Sequence, residues 1–224
     1  MKQTTMLFSA PMVRAILEDR KRRTRRIVKD PAEMGCLTGD CPHEAQLDCI
    51  KEITIYGATE CPYGREMDRI WVREEFYQFG HWEAVVGAKT KGGRQKWKFV
   101  ATKPDALYDA PASFRKGRHS KDPATDAWHK RLARFMPRSA SRLTLEITGT
   151  RIERLQDISE EDAIKEGVDW KTCPITESTD SIVKGYGVRK IDYVGGFKKL
   201  WKSIHGSGSW DNNPYVWVID FKKV

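Results

Sequence analysis

The densest run of chemistry in the 224-residue sequence is Arg20-Lys21-Arg22-Arg23-Thr24-Arg25-Arg26, where six cationic side chains fall within seven residues. Mutual repulsion makes such a run costly unless solvent or an anion relieves it. It reads either as a solvated charged face or as a phosphate-contacting rim with Lys21 and Thr24 pointing inward. A threonine hydroxyl is a poor nucleophile and needs an adjacent base. A lysine amine becomes that base when burial and neighbouring cations depress its pKa.

Two other groupings have chemical potential. In Arg69-Ile70-Trp71-Val72-Arg73-Glu74, strand alternation sets Arg69, Trp71 and Arg73 on one side and Ile70, Val72 and Glu74 on the other. The first face suits stacking on a base and clamping a phosphate, and the bland alternative is a strand with a core Trp71 and a structural Arg73–Glu74 pair. Cys36, Cys41, His43, Cys49 and Cys61 supply soft ligands at a loose spacing. Zinc there is the weaker reading beside chance scatter, and nothing else in the sequence calls for a metal or a cofactor. His119 and His129 are expected to be solvated or phosphate-facing.

The elements that must position these residues can be read from periodicity. Residues 4–8 read as a strand, followed by a helix capped at Ser9 with Pro11 in its first turn. Met12, Val13, Ile16 and Leu17 give that helix one apolar face. Residues 29–60 read as irregular, with a short strand at Glu52–Tyr56. A strand is expected at Arg69–Phe76. A hairpin turning at Gly92-Gly93 should join His81–Ala88 to Gln95–Thr102, and residues 103–134 look like a long basic excursion. Ser141–Thr148 and Arg151–Leu155 read as strand. Ser159 then caps a short helix, Ile158 staples onto Ala163, and Gly167 stops it. Residues 170–190 read as loop, before a helix carrying Phe197, Leu200, Trp201 and Ile204 and a final strand Tyr215–Phe221. Short strands with a few short helices predict an α+β domain, a small mixed β-barrel spanning 1–224 with irregular insertions at about 29–60 and 103–134.

Forty Lys and Arg against 31 Asp and Glu leave a net charge of +9, which favours polyanionic partners. No apolar run has the ~20 residues that a membrane helix needs, and the N-terminus lacks a signal-peptide pattern. Five cysteines with no evident framework suggest reduced thiols and a cytoplasmic protein. Neither GxGxxG nor a GKS/T loop is present, which argues against the common nucleotide-cofactor enzymes.

Asp19 to Arg26 resembles the GxKxxExR signature of ASCH domains, in the PUA-like superfamily, with Lys21 and Arg26 at the motif lysine and arginine. Asp19 stands where the signature has Gly, and Thr24 where many members carry Glu. Threonine there is similar to the small N4-acetylcytidine amidohydrolases, whose triad is Lys, Thr and Glu. Residues 155–168 (LQDISEEDAIKEGV) resemble the segment of those enzymes that ends in the glutamate, which falls on Glu166. The blocks CPYGREMDRIWVRE, MPRSASRLTLEIT and GSGSWDNNPYVWVIDFKKV resemble a longer, largely prophage-associated ASCH group, and this second likeness spans most of the chain.

The resemblance implies a PUA-like barrel and a domain that binds RNA, DNA or a modified nucleoside, with no membrane partner. As an amidohydrolase removing an acyl group from a modified cytidine, it would use Lys21 as base, Thr24 as nucleophile and Glu166 as proton donor. As a binding module it would use Lys21 and Arg26 as phosphate ligands, with Arg20, Arg22, Arg23, Trp71, Arg73 and Glu74 around the same cleft. As a ribonuclease it would use Lys21 against a developing phosphate charge, with Glu74 or Glu166 as base.

Overall fold

The computed structural model describes residues 1–28, 61–119, 121–178 and 188–224. These residues are mostly strand with a few short helices, in the order β1 (Gln3–Leu7), α1 (Ala10–Leu17), β2 (Arg23–Ile27), β3 (Arg69–Arg73), β4 (Phe76–Lys89), β5 (Gln95–Leu107), β6 (Ala127–Arg131), β7 (Thr144–Arg154), α2 (Glu160–Lys165), β8 (Ile175–Ser178), β9 (Val188–Ile191), α3 (Tyr193–His205) and β10 (Tyr215–Lys223). The strands form a five-stranded sheet ordered β1-β3-β7-β10-β2, a three-stranded sheet β5-β4-β6 and the pair β8-β9. No pairing among the described residues closes them into a barrel. The chain divides into two compact units, one of Met1–Thr4, Pro11–Ile70 and Leu145–Val224, the other of Thr5–Ala10 and Trp71–Thr144.

In the first unit, β10 is the organising strand. It runs antiparallel to β2, with Val218 opposite Arg25 and Ile219 opposite Thr24, and antiparallel to β7 on its other side. Val216 and Val218 of this strand meet the helices in a core with Leu155, Ile158, Ala163, Phe197, Trp201 and Trp210. Burying a side chain of Phe size is worth about 1.5–3 kcal/mol, so Phe197 and Trp201 are what hold α3 in place. The capping pattern reads through to the structure: the Ser159 hydroxyl accepts from Asp162 N, and Ile158 and Ala163 share the core. Gly167 takes φ +80° just past α2, the left-handed conformation that stops a helix at little strain for glycine.

The second unit is built on β4, a 14-residue strand. It pairs with β5 across the expected hairpin and with β6 on its other edge. The strand expected at Arg69–Phe76 divides in two, ending at Arg73 and resuming at Phe76. Residues 103–134 are more ordered than an excursion, because they hold the end of β5 and all of β6. His129, expected to be solvated or phosphate-facing, is completely buried in β6. Its Nδ1 lies 3.3 Å from Trp82 Nε1 and 3.1 Å from Gly117 O, and burial lowers its pKa, so it is a core histidine. His119 is exposed. Residues 170–190, read as loop, contain the hairpin pair β8-β9. No helix among the described residues is long and apolar enough to cross a membrane. The expected strand at Glu52–Tyr56 lies outside the described residues.

Candidate functional site

Lys21 enters the fold just after α1, where its N–H and that of Arg20 both donate to Ala15 O. One residue later, Arg22 N donates to Lys165 O at 2.8 Å, and Lys21 forms a β-bridge with Glu166. The start of β2 is thereby tied to the last turn of α2. The last carbonyls of a helix lack internal partners, and here Arg22 N and the Lys21 side chain supply them. The Lys21 amine donates to Glu166 O at 2.8 Å and to its carboxylate Oε2 at 2.7 Å. Both residues are buried, Lys21 at 2% exposure and Glu166 at 4%. Burial lowers the Lys21 pKa, Glu166 pulls it upward, and Arg26 and Arg25 push it down again.

Gly167 makes this approach possible. A Cβ built there would stand 2.7 Å from Lys21 Cβ and 3.1 Å from Ala15 Cβ, so the glycine serves both the helix stop and the close passage of Lys21.

The other Glu166 oxygen faces Arg25 NH1 at 3.2 Å. Arg25 also bonds Glu153 at 3.0 Å and Asp162 at 2.8 Å. Arg23 pairs with Asp162 and Asp220, while Arg151 pairs with Glu153, Asp162 and, at 2.8 Å, Asp220. Four cations, Lys21, Arg23, Arg25 and Arg151, are thus interlaced with the carboxylates of Glu153, Asp162, Glu166 and Asp220. Burial works against the Arg23 charge, but Asp220 and Asp162 more than offset it and raise its pKa. Burial likewise opposes the Asp162 charge, and Arg25, Arg23 and Arg151 together hold its carboxyl below the ordinary value.

The basic run is therefore of three kinds. Arg20 and Arg22 are exposed; Arg20 bonds Glu18 Oε2 at 2.6 Å, and Arg22 Nε donates to Asp19 O at 3.2 Å. Arg23, expected on a ligand-facing rim, is instead buried with Arg25 in the ionic network. Thr24 and Arg26, by strand alternation, belong to the opposite face of β2. Thr24 is 3% exposed, and among the described residues no hydrogen bond joins its hydroxyl to Lys21 or Glu166. Arg26 is partly buried; burial lowers its pKa, while Tyr63 and Glu166 act to raise it.

Beside the pair lies a cavity of about 360 Å³, lined by Ile16, Asp19, Lys21, Arg22, Phe221, Lys222 and Lys223. Its volume is in the range of small-ligand sites. Its cations are partly satisfied: Lys222 pairs with Glu146 at 2.7 Å and Lys223 lies 3.7 Å from Asp19. Arg22 is the exposed guanidinium on this wall.

The Arg69–Glu74 segment belongs largely to the other unit. Ile70, Val72 and Glu74 are buried, while Arg69, Trp71 and Arg73 are only partly so. Glu74 does not pair with its neighbour Arg73. Both its oxygens are held at 2.9 Å by Arg142 Nε and NH2, a two-pronged geometry that fixes the carboxylate firmly. The Arg73 guanidinium instead sits 4.5 Å from the Trp71 ring centroid.

Cys61 is a buried free thiol whose pKa is pushed up to about 11 by burial. Cys36, Cys41, His43 and Cys49 lie outside the described residues. Among the described residues no group of three or more His, Cys, Asp or Glu is placed to hold a metal.

No match to a known protein accompanies this geometry. The chain matches no family model, no curated protein and no solved structure.

Arg151 and Glu153 have no sequence reading at the site, and Arg25, read as part of the rim, lies inside the network; Asp162 and Asp220 are the further members that the sequence could have supplied. Two signals point to them. Asp162 and Glu166 stand four apart, on one face of a helix, and Asp220 is a lone carboxylate in the apolar strand YVWVIDF.

Proposed function

We propose that the first unit is an ASCH-like, PUA-related domain that binds nucleic acid or a modified nucleoside at the cavity beside Lys21. The observation that carries this reading is the union of a buried Lys21–Glu166 pair with a cavity walled by Arg22, Lys222 and Lys223. These are the two residues that the motif resemblance singles out, 145 positions apart in the chain. The role of the pair is positional: it ties β2 to α2 and sets Arg22 and the cavity wall where an anionic or polar ligand meets them. An overall charge of +9 favours a phosphate-bearing partner.

A second reading, hydrolysis of an acyl-amide on a modified cytidine, is favoured by one observation. Burial lowers the pKa of Lys21, in the direction a general base requires. Thr24 has no bond to that amine among the described residues, so attack by its hydroxyl would need the β2 segment to rearrange. Binding without catalysis makes no such demand.

The deciding experiment incubates the purified protein with N4-acetylcytidine, single-stranded RNA and single-stranded DNA, beside Lys21→Ala, Thr24→Ala and Arg22→Ala. Binding that weakens with salt, falls in Arg22→Ala and survives Thr24→Ala supports the binding reading. Nucleoside turnover lost in both Lys21→Ala and Thr24→Ala replaces it with the hydrolase. Polymer cleavage lost in Lys21→Ala but retained in Thr24→Ala replaces it with a nuclease.

A further inference from the structure

Several arginines of the second unit pair with no carboxylate among the described residues, and four of them, Arg73, Arg131, Arg134 and Arg138, lie together. They surround two aromatic rings. The Arg131 and Arg134 guanidiniums lie 5.4 and 5.0 Å from the centroid of Phe135. Those of Arg73 and Arg138 lie 4.5 and 5.7 Å from the centroid of Trp71. The two groups are joined, since Arg73 NH1 donates to Arg134 O at 3.4 Å.

The platform beneath them is rigid. Two single-turn 3-10 helices, Ala133–Phe135 and Arg138–Ala140, follow β6, and Met136 between them is 1% exposed and anchors the turn. Ser141 Oγ donates to Val72 O at 2.8 Å, fastening the second turn to β3. On this base Phe135 is left 53% exposed, and Arg134 and Arg138 are exposed too. Arg131 is half-buried against Phe99 and Trp82, 4.2 and 5.0 Å from their centroids. Its Nε and that of Arg73 are buried without a hydrogen-bond partner. Cations held this way retain an unmet demand for an anion.

We propose that this surface binds single-stranded nucleic acid, with bases stacking at Phe135 and Trp71 and phosphates meeting the flanking arginines. An aromatic ring with two guanidiniums beside it occurs here twice, and the surface thereby offers both groups that bases and phosphates call for. Stacking on side chains requires bases free of a duplex, and base–aromatic contacts of this kind tolerate any sequence. An acidic peptide offers carboxylates but no repeated planar ring. This surface shares no residue with the cavity beside Lys21 and does not depend on it.

The test is fluorescence anisotropy with a labelled oligothymidylate and a labelled oligouridylate, against a duplex of equal length and polyglutamate as competitors. Phe135→Ala, at an exposed position, is expected to weaken single-strand binding about 5- to 100-fold, and Phe135→Trp to retain it. Arg134→Ala and Arg138→Ala should each lower the slope of log K against log salt by about 0.7. Unchanged affinity in Phe135→Ala, competition by duplex or polyglutamate as effective as by single strand, or no binding by the wild type would each overturn the proposal. Loss of binding in Arg22→Ala with none in Phe135→Ala would overturn this surface while leaving the cavity reading intact. The opposite result would support this surface and remove the cavity reading for polymers.

Discussion

The Lys21 amine holds Glu166 twice, through its backbone carbonyl at 2.8 Å and its carboxylate at 2.7 Å. A helix C-terminus disfavours a nearby carboxylate, and this cation, together with Arg25, makes the position tenable. The bond also joins a strand and a helix that are far apart in the chain, so its loss has a structural consequence as well as a chemical one.

Lys21→Met takes from the buried Glu166 carboxylate the amine held at 2.7 Å and leaves its carbonyl without that donor. Breaking a buried pair from one side destabilises by about 3–5 kcal/mol. The urea midpoint is expected to fall accordingly. In the double variant Lys21→Met with Glu166→Leu much of the loss should return, because Arg25 keeps Glu153 and Asp162.

Gly167→Ala forces a side chain into φ +80° and sets its Cβ 2.7 Å from that of Lys21. The left-handed conformation alone is worth about 1–2 kcal/mol, and crowding adds about 1–3 kcal/mol. Thermal denaturation should show a clear loss, whereas Gly92→Ala, with open space around it, should show little.

Acid should act through Asp162. Its folded pKa lies below the ordinary 3.8, so its contribution is complete above that value and is lost as pH falls through the folded one. Wild-type stability, followed by urea midpoints from neutral pH downward, is expected to drop in that window. Asp162→Asn should be less stable at neutral pH and show a shallower acid limb.

His81 behaves in the opposite sense. Hydrogen bonds to Asp126, at 2.7 Å, and to Glu83, at 3.3 Å, raise its pKa above 6.5. Its stabilisation is full below 6.5 and lost as pH rises through the raised value. An NMR titration of the imidazole should show the elevated midpoint, and Asp126→Asn should bring it back toward 6.5.

Periodicity and capping made much of the scaffold readable. The hairpin around Gly92-Gly93, the Ser159 cap, the Gly167 stop and the Phe197–Trp201 face of α3 are local rules, and local rules are visible in local sequence. The β8-β9 hairpin and the break between β3 and β4 were not visible. At that break Glu74 is held by Arg142, a partner 68 residues away that no local pattern shows. The basic run shows the same limit at the site. Its composition announced cations, but which of them meet solvent depends on Asp162, Glu166 and Asp220, brought over by α2 and β10. That Arg23 and Arg25 turn into the network follows from their tertiary partners, which no local pattern shows.

The interlacing of Lys21, Arg23, Arg25 and Arg151 with four carboxylates bears on the electric field the protein presents to its surroundings. Equal and opposite charges so closely mixed cancel beyond a screening length of about 8 Å. From outside, the network itself is nearly silent, and of the basic run Arg20 and Arg22 are the cations left exposed. The net positive field comes from exposed cations outside the network, among them Arg22, Arg134, Arg138 and the group Lys89, Lys91, Arg94 and Lys96 at the turn of β4 and β5. The field the protein presents, and its sensitivity to ionic strength, are then set by such exposed side chains and not by the network.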